Sequence, residues 1–243
     1  MREAARSLEN AGYGAVWTNE VIGKDALVQL AVLLAATDRM TFGTCIANVW
    51  ARPAQTMHAA AAQLAQAYPG RLALGLGVGY LEQAASVGRE FGSPLATMRD
   101  YLEAMDSPTW PLAPEAPYPR IVAANGPKML ALADEKADGA FPAGLPPEST
   151  AHAREALGPD KLLVMGLSLT EDMLVAQNDS SCIAAMVCEH LTAGADHVAL
   201  LLPVGGDFAA GVRQLEKLGP ALAQLPITDH RVSPAGTIAD TTS

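Results

Sequence analysis

Residues 70–80 read Gly-Arg-Leu-Ala-Leu-Gly-Leu-Gly-Val-Gly-Tyr. The apolar run at the centre of this stretch is not interrupted at every second position, so it predicts a strand that is buried on both faces. Helical patterns flank it, from Pro53 to Ala67 and over about Leu95–Met105. A strand between two helices predicts parallel strands that are joined by helical crossovers.

The same strand–helix unit repeats along the chain, which opens in a predicted helix at Arg2–Asn10. Strands are predicted at Ala15–Thr18, Thr41–Val49, Arg71–Val78, Ile121–Ala124, Gly139–Phe141, Leu162–Leu169 and His197–Leu202. An open doubly wound sheet could use all of them, whereas a closed barrel of this class has eight strands and would here lack its first. We expect one incomplete barrel domain over residues 1–226 and a polar, disordered tail over residues 227–243.

Composition argues against several partner classes. The chain of 243 residues is half apolar and carries a net charge of −10, which disfavours binding to nucleic acid or to an anionic membrane. No signal-peptide pattern or membrane-spanning apolar run is visible, so we expect a cytoplasmic protein. The cysteines and histidines show no metal-ligand spacing, and no P-loop or nucleophile-elbow motif occurs. A bound organic cofactor would therefore have to carry any chemistry.

Two strand ends carry candidate site residues, because ligands of parallel strand–helix folds bind at the carboxyl ends of the strands. Glu20 follows the first predicted strand. It is interpreted either as a polar contact or proton donor beside a ligand, or as a solvated or helix-capping acid. Ala47 and Asn48 lie near the end of the second predicted strand, where a small residue followed by asparagine is compatible with an unusual backbone beside a flat ring.

Three further strand ends add to the candidate site. Gly75, Gly77 and Gly79 share one face of their strand, which indicates a close approach by a ligand or by a neighbouring strand. Asn125-Gly126-Pro127 follows a strand and opens a helix. It is either an anion site or simply a well-formed helix start. Phe141-Pro142-Ala143 ends the next strand and could line the same mouth.

Several segments together resemble the luciferase-like monooxygenase family. They are Ala11–Trp17, Ile46–Arg52, Ala67–Val78, Gly126–Leu130 and Glu189–Val198. The chain is most similar to the subgroup of predicted coenzyme F420-dependent oxidoreductases found in actinobacteria. The resemblance implies a TIM-type (β/α)8 barrel without its first strand, with the deazaflavin coenzyme F420 at the C-terminal mouth.

The resemblance also implies a reaction and a set of cofactor contacts. The reaction is hydride transfer between C5 of the deazaflavin and a small organic substrate. Glu20 is the catalytic candidate because of its position after the first predicted strand. A non-proline cis peptide is implied around Ala47 and Asn48, and phosphate contacts at the two strand ends that follow residues 77–80. The implied cofactor-binding residues are Ala47, Asn48, Gly77, Gly79, Tyr80, Asn125, Gly126, Pro127, Phe141, Pro142 and Ala143.

The chain departs from the family after Leu169, where relatives have a longer region before the next helix. A barrel without its first strand would also expose two unpaired edges, which a partner subunit in a homodimer could cover. An FMN-dependent monooxygenase of the same fold and a truncated, non-catalytic flavin-binding relative stay as alternatives. Substrate contacts are expected from the proline-rich segment Ser107–Pro119 and from the region after Leu169.

Overall fold

The computed structural model describes residues 1–175, 179–203 and 205–225. Its strands are β1 (Ala15–Thr18), β2 (Thr41–Thr44), β3 (Ala47–Asn48), β4 (Leu72–Gly77), β5 (Arg120–Val122), β6 (Gly139–Ala140), β7 (Leu162–Ser168) and β8 (His197–Leu201). Its helices are α1 (Arg2–Asn10), α2 (Ala26–Leu34), α3 (Ala54–Ala67), α4 (Leu81–Ser86), α5 (Pro94–Met105), α6 (Pro127–Lys136), α7 (Pro147–Leu157), α8 (Glu171–Val175), α9 (Asp179–Thr192) and α10 (Phe208–Leu222). The predicted tail over residues 227–243 lies outside the described residues.

The strands form a parallel sheet in the order β1-β2-β4-β5-β6-β7-β8, and β3 pairs with β4 beyond the end of β2. β2 and β3 therefore share one position of the sheet. Within the described residues, β1 and β8 are the two ends of this order and do not pair with each other. The prediction of a parallel barrel is confirmed, and the barrel is open between β1 and β8.

Local sequence signals define where the helices begin and end. The Asp25 side chain caps α2 by accepting a hydrogen bond from Val28 N at 3.0 Å. Gly12 follows α1 with φ of +95°, a conformation that glycine adopts without steric cost. Pro127 is the first residue of α6, where a missing backbone N–H has no helical partner to lose. In the described part of the chain, no helix has the length and apolar character needed to cross a membrane.

Two of the three apolar clusters of the described residues show how the barrel is layered. The larger lies between the sheet and the helices and includes Leu30, Phe42, Met98 and Leu163. The smaller includes Ile121, Phe141, Val164 and Ala199, with Trp17 packed against it. Trp17 on β1 contacts Phe141 after β6, and strands so far apart in the sheet meet only across the barrel interior. The smaller cluster is therefore the inner core.

The structure corrects three predicted elements. The predicted strand Thr41–Val49 is divided into β2 and β3, and the bond between Cys45 and Ile46 in this gap is a cis peptide. The short helix α4 follows β4, where no helix was predicted. In the sequence, the pair Gly219-Pro220 predicts an interruption of the last helix, but α10 continues through both residues. Gly219 packs so closely on the backbone of Ala11 that a side chain would not fit, and this contact supports the uninterrupted helix.

The proline-rich segment Ser107–Pro119 lies at the end of the barrel opposite the expected ligand mouth. It connects the end of α5 to the start of β5, so it meets the sheet at the amino ends of the strands. Ligands of such barrels bind at the carboxyl ends. The prediction that this segment supplies substrate contacts is therefore wrong, because helix-to-strand connections and strand-to-helix connections lie at opposite ends of the barrel.

Candidate functional site

Glu20 lies just beyond the carboxyl end of β1 and is buried, with 5% of its surface exposed. Its Oε2 accepts a hydrogen bond from Asn48 N at 2.8 Å, and its Oε1 accepts one from Ala26 N at 3.1 Å. Both oxygens also accept from the Arg52 guanidinium, which reaches Asp25 as well. These bonds give Glu20 a positioning role, since it joins the ends of two strands to the start of α2. A catalytic role as proton donor stays a prediction.

The segment around β3 forms a buried wall at the mouth. Ala47 is fully buried and Asn48 is 5% exposed. The Asn48 Oδ1 accepts a hydrogen bond from Trp50 N at 2.9 Å, and the Trp50 indole N–H donates to Val78 O at 2.7 Å. The cis peptide implied around Ala47 and Asn48 lies slightly earlier, between Cys45 and Ile46. This wall is therefore held by hydrogen bonds to both neighbouring strand ends.

The glycine face of β4 is largely filled by the adjacent strand segment. A Cβ on Gly75 would overlap the backbone carbonyl oxygen of Thr44, and one on Gly77 would lie 2.7 Å from the Ile46 side chain. Of the two explanations for the repeated glycines, packing accounts for these two positions. Gly79 lies beyond the strand with φ of +57°, where its lack of a side chain permits the turn.

A reciprocal pair of hydrogen bonds joins the ends of β5 and β6. Asn125 Nδ2 donates to Ala143 O at 3.2 Å, and Ala143 N donates to Asn125 Oδ1 at 2.9 Å. Gly126 follows as the N-cap residue of α6 and makes no side-chain capping bond. No described atom lies within 4 Å of the position that a Gly126 Cβ would take. The first turn of α6 therefore borders open space, a geometry that suits an anion.

The predicted cofactor residues divide into an accessible and a buried group. The exposed or half-exposed ones are Gly79, Tyr80, Asn125, Gly126, Pro127 and Ala143. The buried ones are Ala47, Asn48, Gly77, Phe141 and Pro142. All of them lie at or just beyond the carboxyl ends of β3, β4, β5 and β6, so they share one edge of the sheet. A ligand at this mouth would touch the first group, and the second would support it from below.

The sequence interpretation missed Lys24, which lies in a turn after β1. An antiparallel bridge between Val21 and Lys24 closes this turn, and Gly23 supplies its positive φ of +86°. Lys24 Nζ donates a hydrogen bond to Asn19 Oδ1 at 2.9 Å. Partial burial lowers the pKa of Lys24. The signal in the sequence that could have identified Lys24 was Gly23, because a tight turn at this glycine brings the following lysine back toward the strand end.

Trp17 and His197 connect the two edge strands of the open barrel. Trp17 Nε1 donates a hydrogen bond to His197 Nε2 at 3.1 Å, and the Trp17 ring meets Phe141 edge-on with centroids 5.2 Å apart. Burial lowers the pKa of His197 to about 4. The imidazole is therefore uncharged at neutral pH and can accept this bond. The pair links β1 to β8, between which the described residues form no backbone ladder.

We expect acid to destabilise the barrel through His197. Its pKa is about 6.5 in the unfolded chain and about 4 in the folded one, so the unfolded chain takes up the proton first. Stability should fall as the pH drops from the first value toward the second, by at most ~1.4 kcal/mol per pH unit. Urea unfolding at several pH values measures this loss.

His197→Gln keeps a hydrogen-bond acceptor but removes the titrating group, so its stability should fall less steeply with pH than that of the native chain. His152→Gln changes an exposed histidine on α7 and should retain the native pH dependence. Superimposable curves for His197→Gln and the native chain would contradict the assignment.

Comparison with known proteins gives one family. A family model described as luciferase-like monooxygenase matches residues 1–158. A predicted coenzyme F420-dependent oxidoreductase of Mycobacterium tuberculosis is 30% identical over 172 residues, which cover 58% of this chain and 50% of that protein. The chain thus spans about half the length of the curated relatives it matches.

Solved structures of low sequence identity share the fold. An F420-dependent secondary alcohol dehydrogenase in complex with an F420–acetone adduct aligns with a TM-score of 0.72 at 18% identity, covering 91% of this chain and 94% of that one. A type II Baeyer–Villiger monooxygenase component from Pseudomonas putida in complex with FMN aligns with a TM-score of 0.59 at 14% identity, covering 88% and 76%. These likenesses establish the barrel architecture.

Proposed function

Because the chain belongs to the luciferase-like monooxygenase family, we propose that it is a coenzyme F420-dependent oxidoreductase that transfers a hydride between C5 of the deazaflavin and a small organic substrate. The family match over residues 1–158 carries the proposal, because this range includes every strand end predicted to hold the cofactor. The identity to a predicted F420-dependent oxidoreductase supports the choice of coenzyme.

The accessible residues of the mouth fit the anionic part of such a cofactor. The first turn of α6 borders open space at Gly126, and Lys128 in the same turn is exposed. Backbone amides at a helix N-terminus and a nearby ammonium are the donors that phosphate oxygens require. Asn125 supports this turn through its two hydrogen bonds to Ala143.

The remaining site residues would orient the ligands. F420, when bound, supplies the two-electron chemistry. Glu20 and Arg52 hold Asn48 at the wall of the mouth, and the exposed Tyr80 at the end of β4 lies beside the mouth. Placing donor and acceptor together is the contribution expected of the chain in this kind of reaction.

Lys128→Glu is expected to weaken F420 binding about tenfold, since it puts a negative charge beside the proposed phosphate position. Titration of the purified chain with F420, followed by fluorescence, measures the dissociation constant. Lys217→Glu, on the exposed surface of α10, makes the same change in net charge and should bind as the native chain does. Equal weakening by both variants would count against a phosphate position at α6.

An FMN-dependent monooxygenase is the second candidate function, favoured by the family name and by the structural likeness to an FMN-bound monooxygenase. A parallel titration with FMN separates the two candidates. Saturable binding of F420 without FMN binding supports the first, and the reverse supports the second. Binding of neither would refute both candidate functions.

The same proposal includes the setting in which the chain works. A small organic substrate follows from the reaction, and the net charge of −10 disfavours nucleic acid and anionic membranes as partners. We propose a cytoplasmic protein, and a homodimer as one way to cover the edges of β1 and β8. Analytical ultracentrifugation tests the homodimer directly.

A further inference from the structure

A large cavity lies beside the mouth, between the two edge strands. It has a volume of about 1050 Å³ and extends from the open side of the sheet to helices α1, α9 and α10. Most of its lining is apolar, for example Leu8, Val16, Leu191, Leu200 and Leu215. Its volume is at the upper end of the range of small-molecule pockets. Trp17 and His197, which hydrogen-bond to each other, also line it.

The two ends of this cavity differ in charge. Among its described lining residues, the side chains charged at neutral pH are Lys24 and Asp196, since His197 is neutral there. Asp196 precedes β8 at the amino end of the strands, where it accepts hydrogen bonds from Arg154 at 2.5 Å and from Leu163 N at 2.7 Å. Lys24 lies at the opposite end, near the mouth. The end near the mouth therefore carries an ammonium beside apolar walls.

The Lys24 ammonium has more N–H donors than it uses in hydrogen bonds to the described residues. Within the described part of the chain it makes one hydrogen bond, to Asn19, whereas an ammonium has three N–H donors. Asn19 and Cys45 line the cavity near it, and burial raises the pKa of Cys45 to about 11. That thiol is therefore neutral at neutral pH. The nearby Glu20 carboxylate acts on Lys24 but is itself paired with Arg52, so the ammonium can still attract an anionic group of a ligand.

The cavity also adjoins the proposed cofactor surface without coinciding with it. Tyr80 is the predicted cofactor residue that lines the cavity, and the accessible cofactor residues lie mainly beyond it, after β5 and β6. A molecule in the cavity would thus have one end next to the mouth and its body between β1 and β8. This arrangement is what a substrate pocket beside a cofactor requires.

We propose that this cavity is the substrate pocket and that it takes an elongated apolar carboxylic acid, whose carboxylate binds Lys24. The apolar walls favour the body of such a molecule by burying its surface, and Lys24 determines the preference for an anionic end. The role as substrate pocket rests on the proposed oxidoreductase function. The binding preference itself requires only the chain without cofactor.

Dansylaminoundecanoic acid and its methyl ester test the proposal, because both fluoresce more strongly in an apolar pocket and differ only in the charge. Both are expected to bind the native chain, the acid more tightly. Lys24→Met should raise the dissociation constant of the acid about tenfold and leave that of the ester within twofold. Lys24→Arg should retain most of the acid binding. Added salt should weaken binding of the acid and not of the ester.

Lys217→Met, which removes an exposed charge outside the cavity, is the matched control and should bind both probes normally. Equal loss of acid and ester in Lys24→Met, or unchanged acid binding, would overturn the role of Lys24. If neither probe binds saturably, the proposed pocket is overturned. This outcome includes the case in which a second copy of the chain fills the opening. Acid binding without F420 binding would support the pocket and reject the proposed oxidoreductase.

Discussion

Replacing Arg52 with methionine is expected to lower the free energy of unfolding by about 3–5 kcal/mol, because it leaves a buried carboxylate without its partner. The Glu20 side chain is 4% exposed and that of Arg52 is 11% exposed. After the change, two backbone N–H groups, from Ala26 and Asn48, still donate to the Glu20 carboxylate. These two N–H groups satisfy part of the hydrogen-bonding capacity of the carboxylate, but they do not neutralise its negative charge.

The chain contains a matched control for this prediction. Arg99 and Glu135 also form a two-bond pair, at 2.8 Å for each bond, but their side chains are 38% and 51% exposed. Arg99→Met should cost no more than about 1 kcal/mol, because exposed ion pairs contribute little. Urea unfolding followed by circular dichroism measures both variants. Similar losses for the two would show that burial of the Glu20–Arg52 pair does not control stability.

The double change Glu20→Met with Arg52→Met refines the interpretation. Replacing both members of a buried ion pair with apolar residues is often close to neutral. Here Ala26 N and Asn48 N would lose their acceptor, and each buried donor left without a partner costs about 1–3 kcal/mol. We therefore expect the double variant to be less stable than the native chain and to bind F420 more weakly, because Asn48 is no longer held at the wall of the mouth.

Gly75→Ala is expected to lower the free energy of unfolding by at least about 3 kcal/mol, the upper part of the range for overpacked cores. The added methyl group would overlap the backbone carbonyl oxygen of Thr44. That residue belongs to β2, and its Oγ1 donates a hydrogen bond to Gly75 O at 2.7 Å. Removing this overlap would require β2 and β4 to separate, because a change of side-chain rotamer does not move a backbone oxygen.

Two other glycines calibrate this result. Gly77→Ala should cost less, since the nearest atoms belong to the Ile46 side chain, which can change its rotamer. Gly14→Ala should change stability by no more than about 1 kcal/mol in either direction, because no described atom lies within 4 Å of the new methyl group and the unfolded chain becomes less flexible. Thermal unfolding of the three variants provides the ranking. Equal effects of Gly75→Ala and Gly14→Ala would contradict the packing explanation.

The sequence patterns predicted where the residues of the candidate site lie better than they predicted what each residue does there. The strand ends at Asn48, Gly79 and Asn125 share one edge of the sheet, as expected from the rule for parallel strands. Glu20 also lies near this edge, but its hydrogen bonds to Arg52 and to two backbone amides were not visible in the chain order. Lys24 escaped notice because nothing in a lone lysine after a glycine identifies the cavity that it lines.

The sequence by itself determined the alternation of strands and helices and the parallel sheet, because apolar runs, Asp25 as a cap, and glycine or proline at helix ends act within a few residues. Only the tertiary structure decided which atoms meet across the sheet. Thr44 lies against Gly75, and Trp17 reaches His197 across the open side of the barrel. Such contacts join residues that are distant in the chain, and their geometry depends on how all the strands pack together, which no local pattern encodes.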